Sequence, residues 1–255
     1  MSNPFADDTM AAGYAAARPP VHARVLEMAR EWLDVGRVRA AGDVGCGAGL
    51  STRPLLDLAE SCLGFDPAES MVRRARTPAP SATFLVAAGE AIPLAAGSLD
   101  LLTAAGSLNY ARDLDAVWRE AARVLSPSGP FVVYDFSAGR SFEGDDRLDH
   151  WFDTFVARYP QPEGQARRLS PSILAELATG FSVVRADEFA MPLRLSRAFY
   201  TAYMLTETNV QQAVRGGTPL SDIRGWCDAT LPSVFADDER DVVFRGYLTI
   251  MRPVR

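Results

Sequence analysis

The sequence predicts an α/β fold in which helices cross a mostly parallel sheet. Between residues 39 and 137, short apolar runs alternate with stretches of helical periodicity, which is typical of parallel strands joined by crossover helices. A glycine-rich turn follows the first of these runs, at the point where the chain passes from strand to helix. The last apolar run, 242–252, is expected to return antiparallel to the other strands, which gives a sheet of seven strands.

Turn and cap residues set the limits of the individual elements. Ser126, Pro127, Ser128 and Gly129 form a turn ahead of one strand, whereas Ser170 and Pro171 are typical of a helix start. Gly180 ends that helix before the next strand. The predicted strands are 40–44, 61–65, 83–87, 99–104, 129–136, 181–188 and 242–252, and the predicted helices are 50–59, 69–76, 114–125 and 171–177.

Two segments do not follow the alternation of strand and helix. Residues 138–168 and 189–240 are rich in aromatic and apolar side chains at helical spacing, which predicts helical cap insertions above the carboxyl edge of the sheet. Their aromatic residues either form the core of the cap or together line a covered pocket. The predicted organisation is an N-terminal helical lid (1–38), a core (39–137), a cap insertion (138–168), a core continuation (169–188), a second cap insertion (189–240) and a final core strand (241–255).

Composition narrows the classes of protein and of partner. The 255 residues carry 26 basic side chains, all of them arginine, against 32 acidic ones, for a net charge of −6. The arginines are scattered among acids, which disfavours a nucleic-acid partner. Three cysteines, at 46, 62 and 227, lack the spacing of a zinc site or a disulfide framework and favour a reducing cytoplasm. We expect no secretion signal, membrane span or metal site.

The glycine turn and the acid after the second strand predict a nucleoside-binding site. Gly45, Gly47 and Gly49 alternate with other residues, so the backbone can approach a ligand closely. Asp66 falls at the end of the second strand, where a carboxylate can accept hydrogen bonds from two ribose hydroxyls. A turn needed only for packing would explain the glycines but not the acid. Leu50 stands where the dehydrogenase pattern G-x-G-x-x-G requires glycine.

Several segments resemble one enzyme family. Residues 41–49, A-G-D-V-G-C-G-A-G, resemble the first motif of the class I S-adenosylmethionine-dependent methyltransferases. Tyr14 and the pair Arg18-Pro19 are similar to residues of its quinone-biosynthesis and trans-aconitate methyltransferase subgroup. The resemblance implies a Rossmann-like class I methyltransferase fold with S-adenosyl-L-methionine as the cofactor and S-adenosyl-L-homocysteine as the product. Further matching segments are 64–67 with Ser70 and Met71, 89–94 with 97–100, and 120–129.

The resemblance also implies roles for individual residues. Asp43 and the glycine backbone would hold the amino-acid end of the cofactor, and Asp66 would bind the ribose. Many relatives carry an acid that accepts the adenine amino group, but this chain has Ala88 there, so backbone, water or Glu90 must make that contact. Pro67 and Met71 would pack against the adenine, and Ala105 and Gly106 would contact the ammonium group. The full predicted cofactor site is Asp43, Gly45, Cys46, Gly47, Gly49, Asp66, Pro67, Met71, Ala88, Gly89, Glu90, Ala105, Gly106 and Arg18.

Methyl transfer from a sulfonium requires mainly alignment and exclusion of water, so a base is optional. The candidate catalytic residues are His150 and Asp135 as bases and Tyr14 as a cover over the methyl donor. A structural or surface role is the default for His150 and for His22, the other histidine, and Tyr14 could instead anchor the N-terminal segment. An unchanged rate on losing His150 would leave Asp135 or no base at all.

Three functions remain open from the sequence. A methyltransferase acting on a small organic acceptor is the first, since no Asn-Pro-Pro-Tyr segment follows the fourth strand and no Pro-Cys nucleophile follows either. The second is a protein of the same fold that binds S-adenosylmethionine but catalyses another reaction or none, and the third is a nicotinamide oxidoreductase. Oligomeric state, the acceptor and the atom methylated are not determined by the sequence.

Overall fold

A computed structural model describes residues 17–33, 36–162 and 166–254, and this part of the chain forms one eight-stranded sheet with helices on both faces. The first half contains α1 (Val21–Leu33), β1 (Val38–Val44), β2 (Ala59–Asp66), α2 (Glu69–Ala75), β3 (Thr83–Val86), β4 (Leu101–Ala105), α3 (Leu114–Val124) and β5 (Phe131–Phe136). The second half contains β6 (Ser141–Phe142), α4 (Arg147–Arg158), α5 (Pro171–Leu177), β7 (Phe181–Ser196), α6 (Arg197–Met204), α7 (Thr208–Arg215), α8 (Leu220–Phe235) and β8 (Glu239–Pro253).

The strand order brings the ends of four strands together. The order is β3-β2-β1-β4-β5-β8, where β1 to β5 are parallel and β8 is antiparallel to β5. β6 and β7 also pair with β8. The carboxyl ends of β1, β2, β4 and β5 therefore lie at one edge, where ligands bind in open α/β sheets. The predicted α/β class, mostly parallel sheet and antiparallel last strand are confirmed, with one short additional strand.

The helix predicted at 50–59 is wrong. The chain instead makes tight turns and a short 3-10 helix, Arg53–Asp57, and β2 already begins at Ala59. Pro54 lies at the start of this 3-10 helix, and a proline inside the predicted ten-residue helix would remove a backbone donor. The side chains of Ser51 and Thr52 both donate hydrogen bonds to Asp43, which ties this segment to the end of β1.

The predicted strand 181–188 is too short. β7 continues to Ser196 and pairs with β8 along its whole length, so the helical part of the second insertion begins only at Arg197. Pro192 does not interrupt β7, because an edge strand tolerates a residue without a backbone N–H. β6 was not predicted, since two residues are too few to show alternation.

The two faces of the sheet carry separate apolar cores. Val132 and Tyr134 of β5 point to one face, with α1 and the cap helices, whereas Phe131 and Val133 point to the other, with α3. Among the described residues no helix is both long and apolar enough to cross a bilayer. The aromatic rings of the cap pack against one another as a core. They include Trp151, Phe155, Tyr200, Tyr203, Trp226 and Phe235.

We predict that Phe155 is a main source of stability in the cap. Its ring is fully buried and stacks 5.2 Å from the ring of Trp151. Phe155→Ala should lower the free energy of unfolding by about 3–5 kcal/mol, because the cavity left in an aromatic cluster cannot close fully. Asp153→Ala, on the exposed face of the same helix, should change it by less than about 0.5 kcal/mol. Urea unfolding checks both, and equal losses would contradict the assignment of the cap core.

Candidate functional site

The loop after β1 holds three glycines in the left-handed region, and only one of them faces open space. The φ angles of Gly45, Gly47 and Gly49 are +69°, +52° and +83°. A Cβ at Gly45 would collide with Ser107, and one at Gly49 would lie 2.8 Å from the carbonyl oxygen of Ala75. Among the residues that the structure describes, a Cβ at Gly47 would meet nothing within 4 Å. Packing therefore explains the outer two glycines, while Gly47 leaves room for a ligand against the backbone.

Asp43, the residue before the end of β1, has a fully buried carboxylate held by three hydroxyl groups. Ser51 and Thr52 each donate a hydrogen bond of 2.7 Å to Oδ2, and Thr103 of β4 donates one of 2.9 Å to Oδ1. These bonds join β1, the turn after the glycine loop and β4. Asp43 was predicted to hold the amino-acid end of a cofactor, and in the structure its carboxylate accepts hydrogen bonds from hydroxyl groups of the chain that fix the position of the loop.

Burial raises the pKa of Asp43 from its ordinary value of 3.8 to about 6. The hydrogen bonds from Thr52, Ser51 and Thr103 favour the ionised form, and the nearby charge of Asp66 opposes it. The carboxylate therefore takes up a proton more readily than an exposed aspartate would.

Asp66 ends β2 beside the glycine loop. Its Oδ2 accepts a hydrogen bond of 3.0 Å from the backbone N–H of Gly47, and its Oδ1 accepts one of 2.8 Å from Ala68. Burial raises its pKa, and the two backbone donors lower it. Each carboxylate oxygen has a second lone pair, so Asp66 can still accept hydrogen bonds from a ligand.

The residues predicted around an adenine lie in two groups. Met71 packs with Ala48 and Ala68 in a small apolar cluster beside the loop, while Pro67 is exposed. Ala88, Gly89 and Glu90 follow β3 in the next loop, where a Cβ at Gly89 would lie 2.7 Å from Val44. The carboxylate of Glu90 accepts hydrogen bonds from the backbone of Arg112 and Asp113 ahead of α3, at 2.9 Å and 3.4 Å.

Ala105 and Gly106 end β4 next to Asp135 of β5. Gly106 has a φ of +60°, and a Cβ there would lie 2.8 Å from Oδ1 of Asp135. Asp135 also accepts hydrogen bonds from the Asn109 amide at 2.7 Å and from the Phe136 N–H at 2.8 Å. Burial raises the pKa of Asp135, and the amide of Asn109 lowers it. The structure thus places Asp135 at the carboxyl edge, as the sequence predicted.

Arg18 joins the N-terminal segment to the second insertion. Its guanidinium lies 3.2 Å from the carboxylate of Glu207, donates to the carbonyl of Thr206 at 3.4 Å and stacks over the ring of Tyr203. Tyr14, the other N-terminal residue predicted at the site, lies outside the described residues.

The two histidines have opposite surroundings. His150 lies on the surface of α4, with three quarters of its side chain exposed, and its Nδ1 is 2.8 Å from the carbonyl oxygen of Asp146. That contact and the Asp146 charge raise its pKa. Its described partners, Asp146 and Thr154, lie in or next to its own helix, so none connects it to the glycine loop. His22 lies against the end of β5, where Nδ1 is 3.0 Å from the Tyr134 hydroxyl.

Sequence reasoning missed the partners of the site carboxylates. Ser51 and Thr52 directly follow the glycine turn, and Thr103 is the one polar residue in the apolar run of β4, which could have indicated a buried hydroxyl. Asn109 gave no signal, because its contact with Asp135 depends on how the chain turns after β4.

Comparison with known proteins agrees with this architecture. Residues 42–133 match the family model described as a methyltransferase domain. An uncharacterized methyltransferase, YcgJ of Bacillus subtilis strain 168, is 27% identical over 113 residues, which are 42% of this chain and 45% of that protein. The chain therefore matches a little under half the length of this curated relative.

Solved structures extend the likeness to most of the fold. A candidate type II methyltransferase from Anaeromyxobacter dehalogenans superposes with a TM-score of 0.64 at 24% identity, over 91% of this chain and 94% of that one. The crystal structure of YcgJ gives 0.53 at 18% identity, over 91% and 99%. The [4+2]-cyclase SpnF gives 0.55 at 19% identity, over 91% and 82%. Residues 42–133 therefore match a methyltransferase domain, and the chain shares the fold of these solved structures.

We predict that protonation of Asp43 makes the free energy of unfolding depend on pH. Its folded-state pKa of about 6 lies above its ordinary value of 3.8, so between these pH values the folded protein binds the extra proton. The contribution of Asp43 to the free energy of unfolding therefore falls as the pH rises through that window. Asp43→Asn cannot titrate, so its stability relative to the parent should rise by about 2 kcal/mol between pH 4.5 and pH 7.

Urea unfolding of both proteins at the two pH values measures this difference. The titration of His22 is common to both proteins and cancels in the comparison. A difference that stays constant between the two pH values would show that Asp43 titrates like an exposed aspartate.

Proposed function

We propose that this protein transfers a methyl group from S-adenosyl-L-methionine to a small organic acceptor. The observation that carries the proposal is the open space at Gly47 directly beside the carboxylate of Asp66. A left-handed loop backbone next to a carboxylate suits a nucleoside ligand, since the backbone allows close approach and the carboxylate can accept from ribose hydroxyls. The family match and the fold of the solved neighbours support the same class.

The residues present fit the cofactor. Gly47 leaves room for it, Asp66 keeps free lone pairs for the ribose, and Met71 offers an apolar surface for the adenine. When bound, S-adenosylmethionine would supply an activated methyl group on a sulfonium. Asp43 would act by positioning the loop, because its own oxygens already accept three hydroxyl donors. The further predicted contacts of Gly45, Cys46, Gly49, Pro67, Ala88, Gly89, Glu90, Ala105, Gly106 and Arg18 remain proposals.

The acceptor would bind above the ends of β4 and β5, between the chain at Arg18 and the second insertion. The link between Arg18 and Glu207 supports this placement, because it holds these two parts of the chain together near the carboxyl edge. The excess of acidic over basic residues disfavours nucleic acid as the acceptor. We also propose a reducing compartment, which the three buried, unpaired cysteines support.

Asp135 is the better of the two predicted bases. It lies at the carboxyl edge, against Gly106, with a pKa raised by burial. The surface position of His150 gives no support to a role in proton transfer. The proposal does not require a base, because an acceptor that is already ionised needs none.

A second candidate is a protein that binds S-adenosylmethionine and catalyses a different reaction. The structural likeness to a [4+2]-cyclase supports it, since this fold is not confined to methyl transfer. Incubation with S-adenosylmethionine labelled in the methyl group separates the two candidates. Label found on an acceptor supports the first, whereas product formed without transferred label supports the second.

We predict that Asp66 and Gly47 control affinity for the cofactor. Asp66→Ala removes a charged hydrogen-bond acceptor and should weaken S-adenosylmethionine binding at least tenfold, which corresponds to about 1.4 kcal/mol. Gly47→Val should be more severe, because its side chain would fill the space kept open for the ligand. Isothermal titration calorimetry measures both affinities.

Glu60→Ala is the matched control for this experiment. Glu60 is an exposed acid near the start of the same strand, β2, at the opposite end from Asp66. This variant should bind S-adenosylmethionine as the parent does. Parent-like binding by a correctly folded Asp66→Ala protein would remove the ribose assignment, and the same result for Gly47→Val would remove the glycine-loop assignment.

A further inference from the structure

The imidazole of His22 lies beside the region where the proposed acceptor would meet the methyl group. Its ring makes edge contacts with Tyr134 and Phe136, at centroid distances of 5.8 Å and 5.1 Å. Tyr134 pairs with Ala105 of β4, and its carbonyl accepts a hydrogen bond from Gly106. His22 therefore packs on the strand that borders the end of β4, on the sheet face that α1 covers.

A series of polar side chains crosses this face of the sheet from β1 to β5. Asp43 of β1 accepts from Thr103 of β4, and the hydroxyl of Tyr134 on β5 contacts His22 of α1. Tyr134 and Thr103 point to the same face, and the charge of Asp43 contributes to raising the pKa of Tyr134. The histidine is thus the outermost member of a row that begins beneath the glycine loop.

The hydrogen bond between His22 and Tyr134 defines which ring nitrogen carries the proton. Tyr134 is fully buried and its pKa lies well above the ordinary value, so its hydroxyl keeps its hydrogen. In the described part of the chain, His22 Nδ1 is the one hydrogen-bond acceptor found for that hydrogen, at 3.0 Å. Tyr134 therefore donates to Nδ1, and the neutral imidazole has its own hydrogen on Nε2.

The other side of the ring is available to a ligand. His22 Nε2 has no hydrogen-bond partner among the described residues, and it is not one of their buried, unpaired side-chain atoms. Burial, followed by the positive charge of Arg18, lowers the pKa of His22 to about 4. The ring is therefore neutral at physiological pH.

We propose that His22 is an acceptor-binding residue whose Nε2–H donates a hydrogen bond to an oxygen of the methyl acceptor, and that this acceptor is an oxyanion such as a carboxylate or phenolate. The inference rests on the proposed function. A neutral N–H donor matches an oxygen that carries negative charge, whereas an ammonium group would place donor against donor.

This class of acceptor agrees with the weak basicity of the site's histidine. An oxygen that is already ionised supplies the electron pair for the new C–O bond, while the pair of the broken C–S bond stays on sulfur. No proton is transferred, so no base is needed. His22 would orient the oxygen through one lone pair while another attacks the methyl carbon.

The test uses three ring compounds of matched shape and different charge: benzoate, benzamide and benzylamine. Each is added to the protein saturated with S-adenosylhomocysteine, and the imidazole nitrogens are observed by 15N NMR. The chain has two histidines, so His150→Gln assigns the signals. We expect His22 to be protonated on Nε2 without added compound, benzoate to shift that signal, and benzoate to bind at least tenfold more tightly than benzylamine.

Two variants separate a binding role from a structural one. His22→Asn retains a polar group near the Nδ1 position for Tyr134 but lacks the Nε2 donor, so the preference for benzoate should fall to within about twofold. His22→Gln places an amide N–H nearer the Nε2 position and should retain most of the preference. Arg24→Ala, which removes an exposed arginine paired with Glu27 on the same helix, should leave it unchanged.

Three results would overturn the inference. A proton on Nδ1, a His22 signal that none of the compounds moves, or an unchanged benzoate preference in His22→Asn would each exclude the proposed hydrogen bond. These results leave the proposed function intact, provided that calorimetry shows S-adenosylhomocysteine binding. If the parent protein does not bind S-adenosylhomocysteine, both the proposed function and this inference fail.

Discussion

The buried carboxylate of Asp43 is the interaction on which the ligand edge of the sheet depends. It lies inside the protein, at the residue before the end of β1, and burial of a charge is costly unless hydrogen bonds compensate it. Ser51, Thr52 and Thr103 provide that compensation, and in doing so they fix where the chain goes after the glycine loop and how β4 lies beside β1. The loop therefore has its shape before any ligand arrives.

Preorganisation of the loop has a consequence for its glycines. Because Gly45 packs on Ser107 and Gly49 on Ala75, the backbone between them has little freedom, and Gly47 is held in the left-handed region with its N–H on Asp66. A ligand that binds there need not order the loop itself, which reduces the entropic cost of binding. A hydrogen bond thus joins the loop to Asp66, and an ion pair joins Arg18 to Glu207 of the second insertion.

Most of the sheet could be predicted from the sequence because its strands are short, apolar and separated by clear turn residues. The absence of the helix expected at 50–59 could not be predicted, since its apolar residues have helical spacing but the side chains of Ser51 and Thr52 bond to the carboxylate of Asp43. At the candidate site, the pattern located Asp43 and Asp66 but not what their oxygens bind. Those partners are set by strand register, which brings Thr103 opposite Asp43 from 60 residues away along the chain.

The surroundings of the two histidines also could not be predicted from the sequence. The sequence analysis named His150 and not His22 as a candidate base, although both lie in segments of helical periodicity. Only the packing of α1 on β5 places His22 against Tyr134 and leaves His150 in solvent. A group's chemistry here follows from its burial and partners rather than from its residue type.

The central claim is that the loop at Gly47 and the carboxylate of Asp66 form a nucleoside site for S-adenosylmethionine. A crystal structure of the protein with S-adenosylhomocysteine tests it most directly. We expect the ribose hydroxyls within hydrogen-bonding distance of Asp66 and the amino-acid part of the ligand against the backbone at Gly47. A ligand bound elsewhere on the protein, or one bound at the loop with its ribose away from Asp66, would contradict it.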